Sequence, residues 1–321
     1  MQYSVYPNVR ALVDNALNEP DWNKLENQTY ENVTRRSLEY YIQHAKQEWK
    51  EYTESRSSFS GKKGTKGVVE EYEGPHDYEA RIISNIESSI LSDDFFKKRF
   101  SFVNRQTLGQ RVDIPRYLNG DQRCWFAVKR KKKPNRAVRV FAPIGGQCMV
   151  SSEEMAVCGA LSCAIVEMLE ANGINAELWA SCCVRGVFAN MSTMPEPKDP
   201  TWDNLCQLVK LKDSCDYCDY GMVNYVCGNS QFYRNIVFKD RISHGISLMH
   251  SGLSFYEVGG SYNFSRIYIP EDEDHDADMD IVVPRIYNID GVREYIQNEF
   301  CGNNSKIGKI LNSGEESEQC A

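Results

Sequence analysis

Residues 137–184 read AVRVFAPIGGQCMVSSEEMAVCGALSCAIVEMLEANGINAELWASCCV. The run Ala137–Ala142 is short, apolar and rich in β-branched residues, as in a strand covered on both faces. Pro143 has no N–H for a ladder bond, so pairing should weaken there. Gly145 and Gly146 give a turn. Ser151 or Ser152 then suits a helix N-cap, with Glu153 and Glu154 in the first turn where the helix dipole favours carboxylates. Val157, Leu161, Ala164, Ile165, Met168 and Leu169 recur at helical spacing. Ala156, Gly159 and Ala160 are small enough for close packing on a sheet. Gly173 falls where a helix C-cap is expected, and Ala176–Val184 reads as a second buried strand. A crossover of this length joins parallel strands. The spacing therefore predicts an α/β fold with a mostly parallel central sheet flanked by helices.

Outward from this unit, residues 8–18 suit a short helix. Residues 29–55 suit a longer one, capped by Thr29, with Val33, Leu38, Tyr41, Ile42, Ala45 and Trp49 on its apolar face. SSFSGKKGTKG at 57–67 has the composition of a flexible linker. These features divide the chain into a helical N-terminal arm (1–56), a linker (57–74), an α/β core (75–300) and a polar, frayed tail (301–321). In the core, a helix is expected over 77–100. CWFAVKRKKKPNRAVRVFA reads as a β-hairpin turning around Lys132–Asn135. Further on we expect a strand over 205–211, helices over 215–227 and about 230–250, and short strands over 255–262 and 265–269. A strand at 280–283 and a helix over 291–300 follow an acidic loop.

The segment Arg111–Val184 resembles an uncharacterised, mostly phage-encoded protein family. The shared block, VD-x-x-x-YL-x-GD, falls here on Val112-Asp113, Tyr117-Leu118 and Gly120-Asp121. It continues through the strand at 138–142, the helical stretch 153–173 and Glu177-Leu178-Trp179. More distantly, the unit is similar to the first βαβ of von Willebrand factor A domains, including the cobaltochelatase type. Those domains hold magnesium through Asp-x-Ser-x-Ser after the first strand. The matching positions here are Pro143, Gly145 and Gln147, which supply neither carboxylate nor hydroxyl. The resemblance thus implies a von Willebrand A/Rossmann-like core with a degenerate metal site.

The chain of 321 residues has 41% hydrophobic residues and a net charge of −8, which argues against general attraction to polyanions. No 18-residue apolar run suggests a membrane span, and the N-terminus does not have the pattern of a signal peptide. The twelve cysteines are then expected as reduced thiols in a cytoplasmic protein, the host cytoplasm if the gene is phage-borne.

Three constellations carry potential chemistry. Lys129, Arg130, Lys131, Lys132, Lys133, Arg136 and Arg139 form a basic run without an acid, suited to phosphates, with Trp125 and Phe126 as neighbours able to stack on bases. A solvated hairpin tip accounts for the same run. EDEDHDADMD places Asp274, Asp276, Asp278 and Asp280 in alternation around His275, a spacing that can converge on Ca²⁺ or Mg²⁺; it lacks the glycine and glutamate of a helix–loop–helix calcium site. A solvated acidic loop accounts for it, as does one pairing with the basic hairpin. Cys206, Cys215, Cys218 and Cys227 have a symmetric spacing open to zinc, with His244 and His250 as substitute ligands, or to a Cys215–Cys218 dithiol. Plain structural thiols account for them too. Gly145-Gly146 lacks the remaining glycine and lysine of nucleotide-binding loops, and no hydrolase motif is present. The sequence therefore points to a non-enzymatic interaction protein, with no cofactor and no membrane association. It is expected to act through a protein partner or self-association, and to touch nucleic acid through 129–139. The alternative is a metal-dependent enzyme or factor using 271–280 or 206–227.

Overall fold

The computed structural model describes residues 2–27, 35–54, 64–91, 102–106, 111–112, 125–128, 137–145, 151–184, 205–214, 216–244, 280–286, 288–301 and 305–316. Its centre is a five-stranded sheet in the order β1-β7-β6-β5-β8. The strands are β1 (Gln2–Tyr6), β5 (Val138–Pro143), β6 (Ala176–Val184), β7 (Leu205–Lys212) and β8 (Ile281–Val282). β5 pairs in parallel with β6 on one side and β8 on the other, and β1 runs parallel to β7. Only β6 and β7 are antiparallel. The α/β class with a mostly parallel sheet is as the periodicity of 137–184 requires.

The crossover helix, α6 (Ser152–Ala171), starts with a full capping box. Ser151 Oγ accepts from Glu154 N, and the Glu154 carboxylate accepts from Ser151 N. This contact holds the Glu154 carboxyl below its ordinary range. Gly173 takes a φ of +80° just past the helix end. The expected apolar stripe is only part of the burial, because every residue from Met155 to Ala171 is buried. The reason is a second helical layer: α5 (Asp77–Leu91) and α7 (Tyr220–Gly228) both pack on α6. Gly159 serves that layer rather than the sheet. A methyl group there would stand 3.2 Å from Ile83 Cδ1 and 3.3 Å from Cys227 Cβ.

A further group of helices gathers around the β1–β7 side. They are α1 (Val9–Leu17, capped by Asn8), α2 (Trp22–Glu26), α3 (Arg35–Thr53) and a helix over 230–243, here α8. This last is continuous through Ser230–Phe232, a π-helical turn Tyr233–Val237 and Phe238–Ser243. Ile42, Ala45 and Tyr52 of α3 are buried, and Trp49 lies under Lys239 Nζ at 4.5 Å from the ring centre.

Several expectations need correction. Residues 2–6, at the start of the expected helical arm, are not helical but form an edge of the sheet, paired from Gln2↔Leu205 to Tyr6↔Val209. Gly64–Tyr72, within the expected linker, is a helix, α4. Val68 is buried there, and Thr65 Oγ1 donates to Tyr52 O at 3.2 Å. The supposed tail contains α10 (Lys306–Glu316) after α9 (Ile289–Cys301). Ser305 caps it, and Ile307, Ile310 and Leu311 are buried at the i, i+3, i+4 spacing of one helical face. Among the described residues, the two strands flanking the expected hairpin turn do not pair with each other. β4 (Trp125–Val128) joins β2 (Phe102–Gln106) and β3 (Arg111–Val112) in a separate antiparallel sheet, whereas β5 joins the central one. The helix expected from 215 begins at Tyr220, because Asp219 caps it. The strands expected within 255–269 lie outside the described residues.

Candidate functional site

Charged groups collect at both ends of β5. At its start, Arg139 meets Asp280, the residue before β8. Nε donates to Oδ1 at 3.0 Å and a terminal nitrogen to Oδ2 at 2.9 Å. The two side chains are 4% and 2% exposed. The fork geometry suits a carboxylate held by both oxygens. Arg139 is therefore not part of an exposed basic tip, and Asp280 is not an open metal ligand. Lys129, Arg130, Lys131, Lys132, Lys133 and Arg136 lie outside the described residues, as do Asp274, Asp276 and Asp278.

At the other end, β5 runs out through Pro143 and Ile144 into Gly145, with pairing carried past the proline by Ile144 N donating to Ser181 O. Gly145 has a φ of +87°, and a Cβ on it would lie 2.4 Å from Tyr233 Cζ. The glycine makes room for this tyrosine ring rather than for a phosphate. Arg285, just beyond β8, donates to Ile144 O at 3.1 Å.

Tyr233 stands on the π-helical turn, a widening of the helix that re-aims side chains. Its hydroxyl receives a hydrogen bond from Arg241 at 2.9 Å. Arg241 also donates to Cys182 Sγ on β6 at 2.6 Å and to Gln207 Oε1 on β7 at 3.0 Å. It is fully buried. Burial works against its charge, but Cys182 and Tyr233 outweigh that, and its pKa is raised. Burial likewise pushes the Tyr233 hydroxyl well up despite Arg241.

Gln207 is the bridge to a second group. Its amide nitrogen donates to Asp240 Oδ2 at 2.5 Å. Asp240, fully buried, also accepts from Tyr6 Oη at 2.6 Å and Asn15 Nδ2 at 2.7 Å. Burial, with the Asp240 charge beside it, pushes the Tyr6 hydroxyl far up, so it remains a donor. His244 Nε2 and Ser4 Oγ share a hydrogen bond of 2.8 Å. Asp240 Oδ2 lies 3.8 Å from that same His244 nitrogen. A serine–histidine–aspartate catalytic set needs the carboxylate on the opposite ring nitrogen, so these three residues do not form one.

Only part of the cysteine constellation falls among the described residues, and there Cys227 lies near enough to Cys218 and Cys158 to feel their charge. Cys206 lies on β7 and Cys227 on α7, both buried, while Cys215 and His250 lie outside the described residues. Cys218, in the connection before α7, faces Cys163 of α6 with 3.4 Å between sulfurs. Burial pushes the Cys227 thiol strongly upward. Among the described residues, no three His, Cys, Asp or Glu side chains are grouped to hold a metal. Also among them, no helix is long and apolar enough to cross a membrane.

The sequence reading missed the network of Ser4, Tyr6, Asn15, Cys182, Gln207, Tyr233, Asp240 and Arg241. One signal was present. Lys239-Asp240-Arg241 interrupts the apolar run Ile236-Val237-Phe238 and Ile242, and charges in such a run are buried only when paired.

The molecule is thus an α/β protein whose central strands end in two polar clusters whose described members are paired with one another. The chain belongs to the family described as a domain of unknown function, DUF7192, matched over residues 3–298. The match begins within β1 and ends within α9. No curated protein and no solved structure gives a match.

Proposed function

We propose that the protein is a non-enzymatic, phage-type α/β interaction module with a von Willebrand A-like core. It works in an assembly by binding a protein partner or further copies of itself, and contacts nucleic acid through the basic segment 129–136. The supporting observation is the closure of the polar network at the carboxyl end of β5 and β6. Arg241 donates to Gln207, Cys182 and Tyr233, and Asp240 accepts from Gln207, Tyr6 and Asn15. Catalysis needs such groups aimed at a substrate; here they are aimed at one another, which makes a stiff platform. Where an adhesion-type domain offers carboxylate and hydroxyl to a metal, this chain has Pro143 and Gly145, with Arg285 and Arg241 nearby. Cations so placed disfavour a bound cation.

The metal-dependent alternative has less support. Asp280 is held by Arg139, and Cys206 and Cys227 are buried on separate elements. The nucleic-acid part of the proposal rests on the cations at 129–136 and their aromatic neighbours.

The test is native mass spectrometry and elemental analysis of the purified chain, followed by titration with single-stranded DNA at several salt concentrations. The proposal expects no stoichiometric metal. It expects binding that falls steeply with salt, and marked weakening when Lys131, Lys132 and Lys133 are replaced by Ala. Stoichiometric zinc, calcium or magnesium would overturn the metal-free reading. Unchanged DNA affinity in the triple variant would remove the basic segment from it.

A further inference from the structure

Cys218 and Cys163 lie with their sulfurs in van der Waals contact at 3.4 Å, across the junction between α6 and the β7–α7 connection. The two are unequal. Cys163 is fully buried on a helix enclosed on all sides, whereas Cys218 is only partly buried. Cys218 also sits outside regular structure, between the turn closed by Asp216 N donating to Asp213 O and the cap at Asp219. The neighbouring thiols are poorer candidates. Cys158 donates to Ile286 O at 3.1 Å, and burial raises its pKa. Cys227 is wholly enclosed, and burial raises its pKa further.

We propose that Cys218 and Cys163 are an oxidative modification site: an accessible thiol and its buried resolving partner, which close to a disulfide on reaction with a hydroperoxide. The Cys218 thiolate attacks the O–O bond, which breaks; one oxygen becomes Cys218 S–OH and the other leaves, with a proton, as water or alcohol. Cys163 sulfur then attacks the Cys218 sulfur. The S–O bond breaks, and hydroxide leaves as water with the Cys163 proton. Two thiols are oxidised and one peroxide is reduced. A disulfide needs the sulfurs at about 2.05 Å, a contraction that the Cys218 connection can make while α6 stays fixed. The product fastens the β7–α7 connection to the core helix.

The experiment is oxidation of the folded full chain with hydrogen peroxide, alkylation in denaturant, and non-reducing peptide mapping. The expected result is loss of both thiols together, with a Cys163–Cys218 linked peptide. Cys163→Ser should leave Cys218 as a sulfenic acid trapped by dimedone, which wild type does not accumulate. Because Cys163 is buried and that variant is at risk of not folding, Cys218→Ser provides the second arm. It removes a partly exposed group, and Cys163 should then keep its thiol. Cys218 still alkylatable after peroxide, Cys218 linked to Cys215 instead, or Cys163 oxidised in Cys218→Ser would each overturn the proposal.

Discussion

Arg139 and Asp280 are bound to each other by two parallel hydrogen bonds at the amino ends of β5 and β8, almost entirely out of water. Each stands at the inner limit of a charged segment that continues beyond the described residues. Removing one partner deprives a buried charge of its two-point counter-ion. Asp280→Asn or Arg139→Met should lower stability by about 3–5 kcal/mol, and the double replacement Arg139→Met with Asp280→Leu should recover much of that. Urea unfolding midpoints of the three variants check this; equal losses in single and double variants would mean that the pair is not coupled.

Gln207 keeps Asp240 and Arg241 satisfied by donating to one and accepting from the other. Gln207→Leu fills the space without making either bond. Two charged groups then each lose a partner, for a predicted cost of about 2–4 kcal/mol. Gln207→Glu should be tolerated by Arg241 but not by Asp240, so its loss should lessen in acid. Thermal unfolding of both variants at pH 5 and 7 is the measurement.

Gly145→Ala combines a left-handed backbone with a methyl group aimed at the Tyr233 ring. Backbone strain and overpacking together predict a loss of about 2–5 kcal/mol. Tyr233→Leu should relieve the overpacking part only. A double-mutant cycle by chemical denaturation separates the two contributions.

Lys239 is almost fully buried over Trp49, and that burial depresses its pKa to about 8 from 10.5. Between these values the unfolded chain binds a proton that the folded chain does not. This lysine's contribution is fully present above pH 10.5 and is lost as pH falls through 8. Lys239→Met should therefore stabilise the protein at pH 7. It should also flatten the stability profile between pH 8 and 10.5 by at most about 1.4 kcal/mol per pH unit. Parallel profiles for variant and wild type would count against the burial argument.

The unit β5–α6–β6 was legible because its signals are local: an apolar run, a capping box, helical periodicity and a terminal glycine. β1 was not, because Ser4 and Tyr6 point inward while Val5 points out, an inversion of the usual apolar-in pattern. α10 was hidden because only Ile307, Ile310 and Leu311 mark it amid polar residues. The turn chemistry of 132–135 suggested a hairpin, but strand pairing is chosen by distant partners, and β4 found β2 and β3. Arg139 and Asp280 looked like the last members of surface charge runs. Only their registry across β5 and β8, about 140 residues apart, reveals a core ion pair. The buried network drew on residues from β1, α1, β6, β7 and α8, with no common spacing to betray it.

The pairing of Gln2 with Leu205 has a consequence for biosynthesis. The first strand leaves the ribosome roughly 200 residues before its neighbour in the sheet exists. At ordinary elongation rates that is a wait of about 10–40 s. Through it, β1 is an unmatched strand with a free hydrogen-bonding edge, the form most open to capture by another chain. Sheet closure is thus necessarily a late event of synthesis, and nascent copies on one message are exposed to exchanging this strand with each other.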